Sequence, residues 1–89
     1  MALLDLLGRR WALRVVWELR AAPLQFRELQ DRCDGMSSSV LSQRLAELRE
    51  AGVVERAPGG YSLTGEGEAL LAAMAPLARW AERWAARAA

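Results

Sequence analysis

Between Arg10 and Ala22 the apolar side chains Trp11, Val15, Val16 and Leu19 recur at spacings that place them on one face of a helix. That helix is expected to end near Ala22, because Pro23 disfavours helical geometry in the residue before it. Ahead of it, "ALLDLLG" reads as a short apolar turn or helix closed by Gly8, with little polar surface of its own. The next segment, "QFRELQDRC", spans about two turns. Gln25 and Glu28 stand at the spacing of a capping box, and Phe26 and Leu29 are expected to bury. Asp34 and Gly35 supply a turn, Met36 tucks inward, and Ser37 caps a third helix that reaches about Ala51. Its inner stripe is Leu41, Leu45 and Leu48, and Gly52 ends it.

The period then changes. "VVERA" and "YSL" are two short β-prone runs around Pro58-Gly59-Gly60 and read as a hairpin. Thr64 caps a last helix, with Glu66 in the first turn, where the helix dipole favours negative charge. Leu70, Met74, Leu77, Ala81 and Trp84 follow alternating steps of four and three, a heptad seam. Pro76 lies inside it and is expected to kink the helix or divide it, because proline removes an interior hydrogen bond.

Helix, helix, tight turn, helix, hairpin, helix is the order of a winged helix-turn-helix, a mainly α fold with a small β-hairpin wing. We read residues 1–89 as one such domain. The terminal helices, about 1–8 and 65–88, are expected to form a dimer interface through Leu3, Leu4, Leu7, Leu70, Met74, Leu77, Trp80, Ala81 and Trp84. In this fold the second helix of the pair enters the major groove of DNA. At about 100° per residue the face opposite the leucine stripe is Ser39, Gln43, Ala46 and Glu50, flanked by Ser42 and Glu47. Small residues there allow a deep seat in the groove. The hydroxyls of Ser37 and Ser38 with the first-turn N–H groups can hold a phosphate, and Gln43 can pair bidentately with adenine. The simpler alternative is that Ser37 only caps and Ser38 and Ser39 are merely exposed.

Composition narrows the chemistry. The chain has 89 residues with a net charge of +1, one Cys and no His, and its twelve basic residues are all arginine. The absence of His excludes a Ser–His relay and His-ligated metal, and a single Cys makes neither a disulfide nor a structural zinc site. No paired-carboxylate motif or Gly-rich phosphate loop is present, so neither an enzyme nor a cofactor is expected. No apolar run approaches the roughly 18 residues of a membrane span, and no charged-then-apolar leader precedes the first helix. The expected location is cytoplasmic, away from membranes.

Three blocks, "GRRWALRVVWELR", "QFRELQDRCDGMSSSVLSQRLAELREAGVVER" and "YSLTGEGEALL", together resemble the HxlR-type winged helix-turn-helix transcriptional regulators of bacteria and archaea. The resemblance runs from about Leu7 to Trp84. It is carried by Phe26-x-Glu28-Leu29, by Ser37, Leu41, Ser42, Arg44 and Leu45, by Gly52 with Glu55-Arg56, and by Tyr61-Ser62-Leu63-Thr64 with Gly67. It implies a small homodimer that binds operator DNA and pairs through its terminal helices. Redox-sensing members of the family carry a cysteine ahead of the first tryptophan helix, and this sequence has none there. Its Cys33 falls at a position usually apolar in the family, which suits a buried small hydrophobe better than a reactive thiol. The wing is shorter than the family's, leaving Arg56 and the Gly59 and Gly60 backbone as candidates for DNA contact.

Arg27 and Arg56 are further candidate phosphate clamps. Arg44 sits on the rim of the leucine stripe, with two readings: DNA contact, or an ion pair with Glu28 or Glu47. The four tryptophans, Trp11, Trp17, Trp80 and Trp84, suit core and dimer seam better than a ligand pocket. The expected function is sequence-specific binding of double-stranded DNA by a homodimer on a pseudo-palindrome. With no effector site legible, occupancy is expected to follow protein level alone. The alternative is a winged helix used for protein–protein interaction with weak or no DNA binding.

Overall fold

The computed structural model describes residue 6 and residues 8–88. Its elements are α1 (Ala12–Glu18), α2 (Phe26–Arg32), α3 (Ser38–Glu50), β1 (Val54–Ala57), β2 (Gly60–Leu63) and α4 (Gly65–Ala88). This is the expected winged helix-turn-helix. Of the N-terminal leucines, Leu3, Leu4 and Leu7 lie outside the described residues, while Leu6 packs half-buried on the core. No helix among the described residues is long and apolar enough to cross a membrane.

Helix ends are where local sequence acts most directly. The Glu28 carboxylate accepts from the Gln25 N–H at 3.1 Å, as the capping-box spacing requires. At the far end of α2, Asp34 and Gly35 both take left-handed backbone, with φ of 60° and 68°. Their N–H groups donate to the carbonyls of Asp31 and Gln30, closing the helix in a Schellman turn. The same device ends α3: Gly52, at φ 78°, donates to the Arg49 carbonyl and Val53 donates to that of Leu48. Ser37 caps α3 by accepting the Val40 N–H at 3.2 Å, and Thr64 caps α4 by accepting that of Gly67 at 3.1 Å.

Leu41, Leu45 and Leu48 of α3 are buried against Val15, Val16 and Leu19 around α1, Leu29 and Cys33 of the α2 region, and Val53, Val54 and Leu63 of the wing. Each fully buried leucine of this kind contributes about 1.5–3 kcal/mol. Phe26, expected to bury, is only half-buried at the margin of this cluster.

Four expectations are corrected. First, α1 ends at Glu18, with Leu19 as its C-cap, rather than near Ala22, because the chain bends through Arg20–Ala22 to bring Leu24 beside the wing. There Leu24 and Tyr61 exchange both backbone hydrogen bonds, at 3.0 and 2.8 Å, so the hairpin gains a one-residue third strand beside β2. Second, Trp11 is not in the helix: it stands at the N-cap with a left-handed φ of 77° and is half-buried. Third, the hairpin turn is Pro58–Gly59, with Gly60 already paired to Ala57 as the first residue of β2. Fourth, Pro76 does not divide the last helix, which runs unbroken over 24 residues. The carbonyl that Pro76 cannot engage belongs to exposed Ala72, where water can satisfy it. At 1.5 Å per residue α4 is about 36 Å long, close to the molecule's longest extent of 40 Å, and its distal half projects beyond the core.

Candidate nucleic-acid interface

The exposed surface of α3 is set by what its inner stripe buries. Ser39, Ser42, Gln43, Ala46 and Glu50 are all exposed, on the side away from Leu41, Leu45 and Leu48. At the helix entrance the three serines have separate partners. Ser37 Oγ caps the helix and lies 3.3 Å from Ser39 Oγ. Ser38 Oγ accepts from Gln30 Nε2 at 3.2 Å, which leaves its own proton to donate outward. Gln30 Nε2 also donates to the Met36 carbonyl at 2.8 Å, so α2 holds the start of α3 directly. Ser37, Ser38 and Ser39 thus form one exposed polar edge.

Glu47, expected at the flank of this face, is half-buried and held by two guanidiniums. Arg44 Nη1 donates to Glu47 Oε1 at 2.6 Å, and Arg9 Nη1 pairs with Oε2. Arg44 Nε donates to the Arg10 carbonyl at 2.8 Å. Of the two readings of Arg44, the ion pair is present, with Glu47 rather than Glu28. Its side chain is only 14% exposed, with Nε directed at the segment before α1 and Nη1 at Glu47. Arg14 ties α1 to α2: its guanidinium donates to Glu18 and to the Arg32 carbonyl, each at 2.7 Å.

The remaining candidates separate by exposure. Arg27 is exposed on α2. Arg56 is exposed on β1, its guanidinium carbon 4.9 Å from the ring centroid of its cross-strand partner Tyr61 and its Nη1 3.1 Å from the Tyr61 hydroxyl. Gly59 is exposed at the turn, but Gly60 is buried under the Leu24–Gln25 backbone, which removes it from the wing tip. Sequence reasoning missed Arg9 and Arg10. Only their place in "GRRW" hinted at them, since nothing local reports contact with a helix more than 30 residues away.

Cys33 is fully buried, and burial pushes its thiol above the ordinary cysteine range, the nearby Arg14 charge opposing the shift only in part. We expect folded protein to resist alkylation by iodoacetamide at pH 8 while urea-unfolded protein reacts promptly. Equal rates in the two states, followed by mass spectrometry, would contradict the burial.

On α4, Leu70 and Met74 are half-buried against the core, whereas Leu77, Ala81 and Trp84 of the seam are exposed. Trp80 and Trp84 stack with ring centroids 6.4 Å apart at an exposure of 52% and 59%. They fill no part of this chain's core. Trp17 is half-buried, with the Arg20 guanidinium 4.1 Å from its ring centroid.

A capped, outward-facing second helix, braced by the first and followed by a hairpin, defines a winged helix-turn-helix regulator. The chain belongs to the HxlR-like helix-turn-helix family, whose profile matches residues 6–89. It is 34% identical over 87 residues to the uncharacterized HTH-type transcriptional regulator YvaP of Bacillus subtilis (strain 168), covering 90% of this chain and 81% of that one. The crystal structure of quinone-bound YodB from B. subtilis matches with a TM-score of 0.83 at 33% identity, over 92% of this chain and 93% of that one. A possible HxlR family transcriptional factor from Thermoplasma volcanium GSS1 matches with a TM-score of 0.83 at 28% identity, over 91% and 79%.

Proposed function

We propose that this HxlR-family regulator binds double-stranded DNA as a homodimer, placing two copies of α3 in successive major grooves of a pseudo-palindromic operator. One observation carries the reading. The α3 face made by Ser39, Gln43 and Ala46 is small, polar and exposed, and the acid beside it, Glu47, is paired with Arg9 and Arg44. An unpaired carboxylate on a groove-facing helix is repelled by phosphates; Glu47 on the flank is neutralised, which leaves exposed Glu50, at the last turn of the same face, as its one carboxylate outside an ion pair among the described residues. Gln43 reads a base; Ser37, Ser38, Ser39 and Ser42 line the approach; Arg27, Arg56 and the Gly59 backbone meet phosphates. The apolar stripe Leu77, Trp80, Ala81 and Trp84, continuing from Leu70 and Met74, covers its counterpart in a second copy.

The test is a titration of the purified protein against its own upstream intergenic DNA and a scrambled duplex, at two salt concentrations. Tighter binding to the upstream fragment, with the salt slope of several neutralised phosphates, supports the reading. Gln43→Ala is expected to lose about 1–3 kcal/mol on the specific fragment, the value of one good base contact. An unchanged affinity would remove Gln43 from base readout. Because the B. subtilis relative has a quinone-bound structure, the titration is repeated with a benzoquinone. A shift in affinity would overturn the expectation that occupancy follows protein level alone.

A protein-interaction module is favoured by one feature, the exposed apolar half of α4 beside a short wing. A folded protein with no salt-dependent DNA binding would support it.

A further inference from the structure

Arg9 and Arg10 precede α1, yet both reach α3: Arg9 pairs with Glu47, and the Arg10 carbonyl accepts from Arg44. We propose that Arg10 is a DNA phosphate contact on the flank of α3 and that Arg44 is its positioning residue; the inference rests on the DNA-binding reading above.

A major groove is about 12 Å wide, and an α-helix with its side chains is about 10–12 Å across. A helix seated through the middle of one face therefore has a phosphate strand along each flank. With Ser39, Gln43 and Ala46 toward the base edges, Glu47 stands about 70° from the centre of the docking face and Arg44 about 130°. That flank is where Arg9 and Arg10 are brought. It holds the guanidiniums of Arg9 and Arg44 against the one carboxylate of Glu47, with the backbone of Arg10 bonded to Arg44 beside them.

The three arginines are not equivalent. Arg44 is largely buried and donates through Nε to the Arg10 carbonyl and through Nη1 to Glu47, which fixes its guanidinium against the protein. Arg9 is committed to Glu47. Arg10 is exposed, its guanidinium carbon 5.6 Å from the centroid of the Trp11 ring. Trp11 is half-buried and its left-handed backbone turns the chain into α1 at this point. One residue is thus pinned at its carbonyl by the recognition helix and at its side chain by an anchored ring. A guanidinium held in this way loses less freedom on meeting a phosphate than one on a loose stem.

The probe is a duplex of arbitrary sequence, titrated across a series of KCl concentrations, because a phosphate contact acts on any sequence. Arg10→Ala is expected to make the slope of log K against log salt shallower by about 0.9 per protomer, with affinity lowered alike for the arbitrary and the upstream duplex. Arg10→Lys should keep the wild-type slope. Arg20→Ala, at the other end of α1, should leave it unchanged. Arg10→Ala combined with Arg44→Gln should have the slope of Arg10→Ala alone, whereas an Arg44 that itself touched DNA would remove a second increment. Circular dichroism confirms folding of each variant, and if Arg44→Gln fails to fold, the Ala and Lys variants of Arg10 decide the phosphate contact by themselves. A wild-type slope in folded Arg10→Ala overturns the inference and leaves the DNA-binding reading standing. Absence of salt-dependent binding by the wild type overturns both.

Discussion

Gly60→Ala is expected to destabilise the protein by about 2–6 kcal/mol, against a total of roughly 5–15 for a small domain. Two costs add. Gly60 has a φ of 120°, a backbone region that side chains with a Cβ rarely adopt, at about 1–3 kcal/mol. A Cβ there would also overlap the Leu24 carbonyl oxygen and lie 2.8 Å from the Gln25 nitrogen. These are backbone atoms fixed by the Leu24–Tyr61 rung, so they cannot swing aside as a flexible side chain would. Relief requires the wing to move off the Leu24 segment, a further cost of about 1–3 kcal/mol. Gly35→Ala is the internal comparison: its φ is 68°, but nothing lies within 4 Å of the added carbon, so only the first cost applies. Thermal unfolding should show Gly60→Ala melting at least about 8 °C below the parent and clearly below Gly35→Ala. Equal melting of the two variants would mean that the close approach of wing and Leu24 is relieved without cost.

Trp80→Ala combined with Trp84→Ala is expected to convert the proposed dimer to monomer and to abolish tight operator binding. The two rings stack on each other and stand more than half exposed on the projecting part of α4. Exposed aromatic groups of this size are typical binding hot spots, each costing about 2 kcal/mol or more when truncated. Both protomers carry the change, so four rings are lost, and at 1.4 kcal/mol per tenfold about 8 kcal/mol weakens association by roughly five orders of magnitude or more. Neither ring belongs to the buried cluster around Leu45. The winged domain should therefore keep its fold, and the loss should appear in sedimentation equilibrium rather than in the helical signal of the first three helices. Operator affinity should drop further than monomer affinity alone explains, because each half-site is then bound independently. An unchanged oligomeric state in the double variant would place the dimer contact elsewhere.

Most of the scaffold was legible because its determinants are local. Gln25 and Glu28, Ser37, Gly52 and Thr64 each satisfy or terminate a helix end within a few residues of themselves. Leu41, Leu45 and Leu48 needed only the helical period to define an inside, and hence an outside at Ser39, Gln43 and Ala46. From these elements alone follow the fold class, the helix-turn-helix pair, the hairpin and the exposed face of α3. The apolar seam of α4 was equally legible, since alternating steps of four and three are a one-dimensional pattern.

What tertiary packing decided lies between segments distant in the chain. Local rules extended α1 to about Ala22, but the chain leaves the helix early to bury Leu24 on the core and pair it with Tyr61 through two backbone hydrogen bonds. The same pairing buries Gly60 and shortens the turn to Pro58–Gly59. Arg44 and Glu47 could be paired on paper at one helical turn. That their network also holds Arg9 and the Arg10 carbonyl, 38 and 34 residues away along the chain, depended on where the start of α1 crosses α3. The sequence thus determined which surfaces exist, because helical and strand periods sort side chains locally. The tertiary structure decided which charges meet on them, because ion pairs form between whatever the packed core brings within reach.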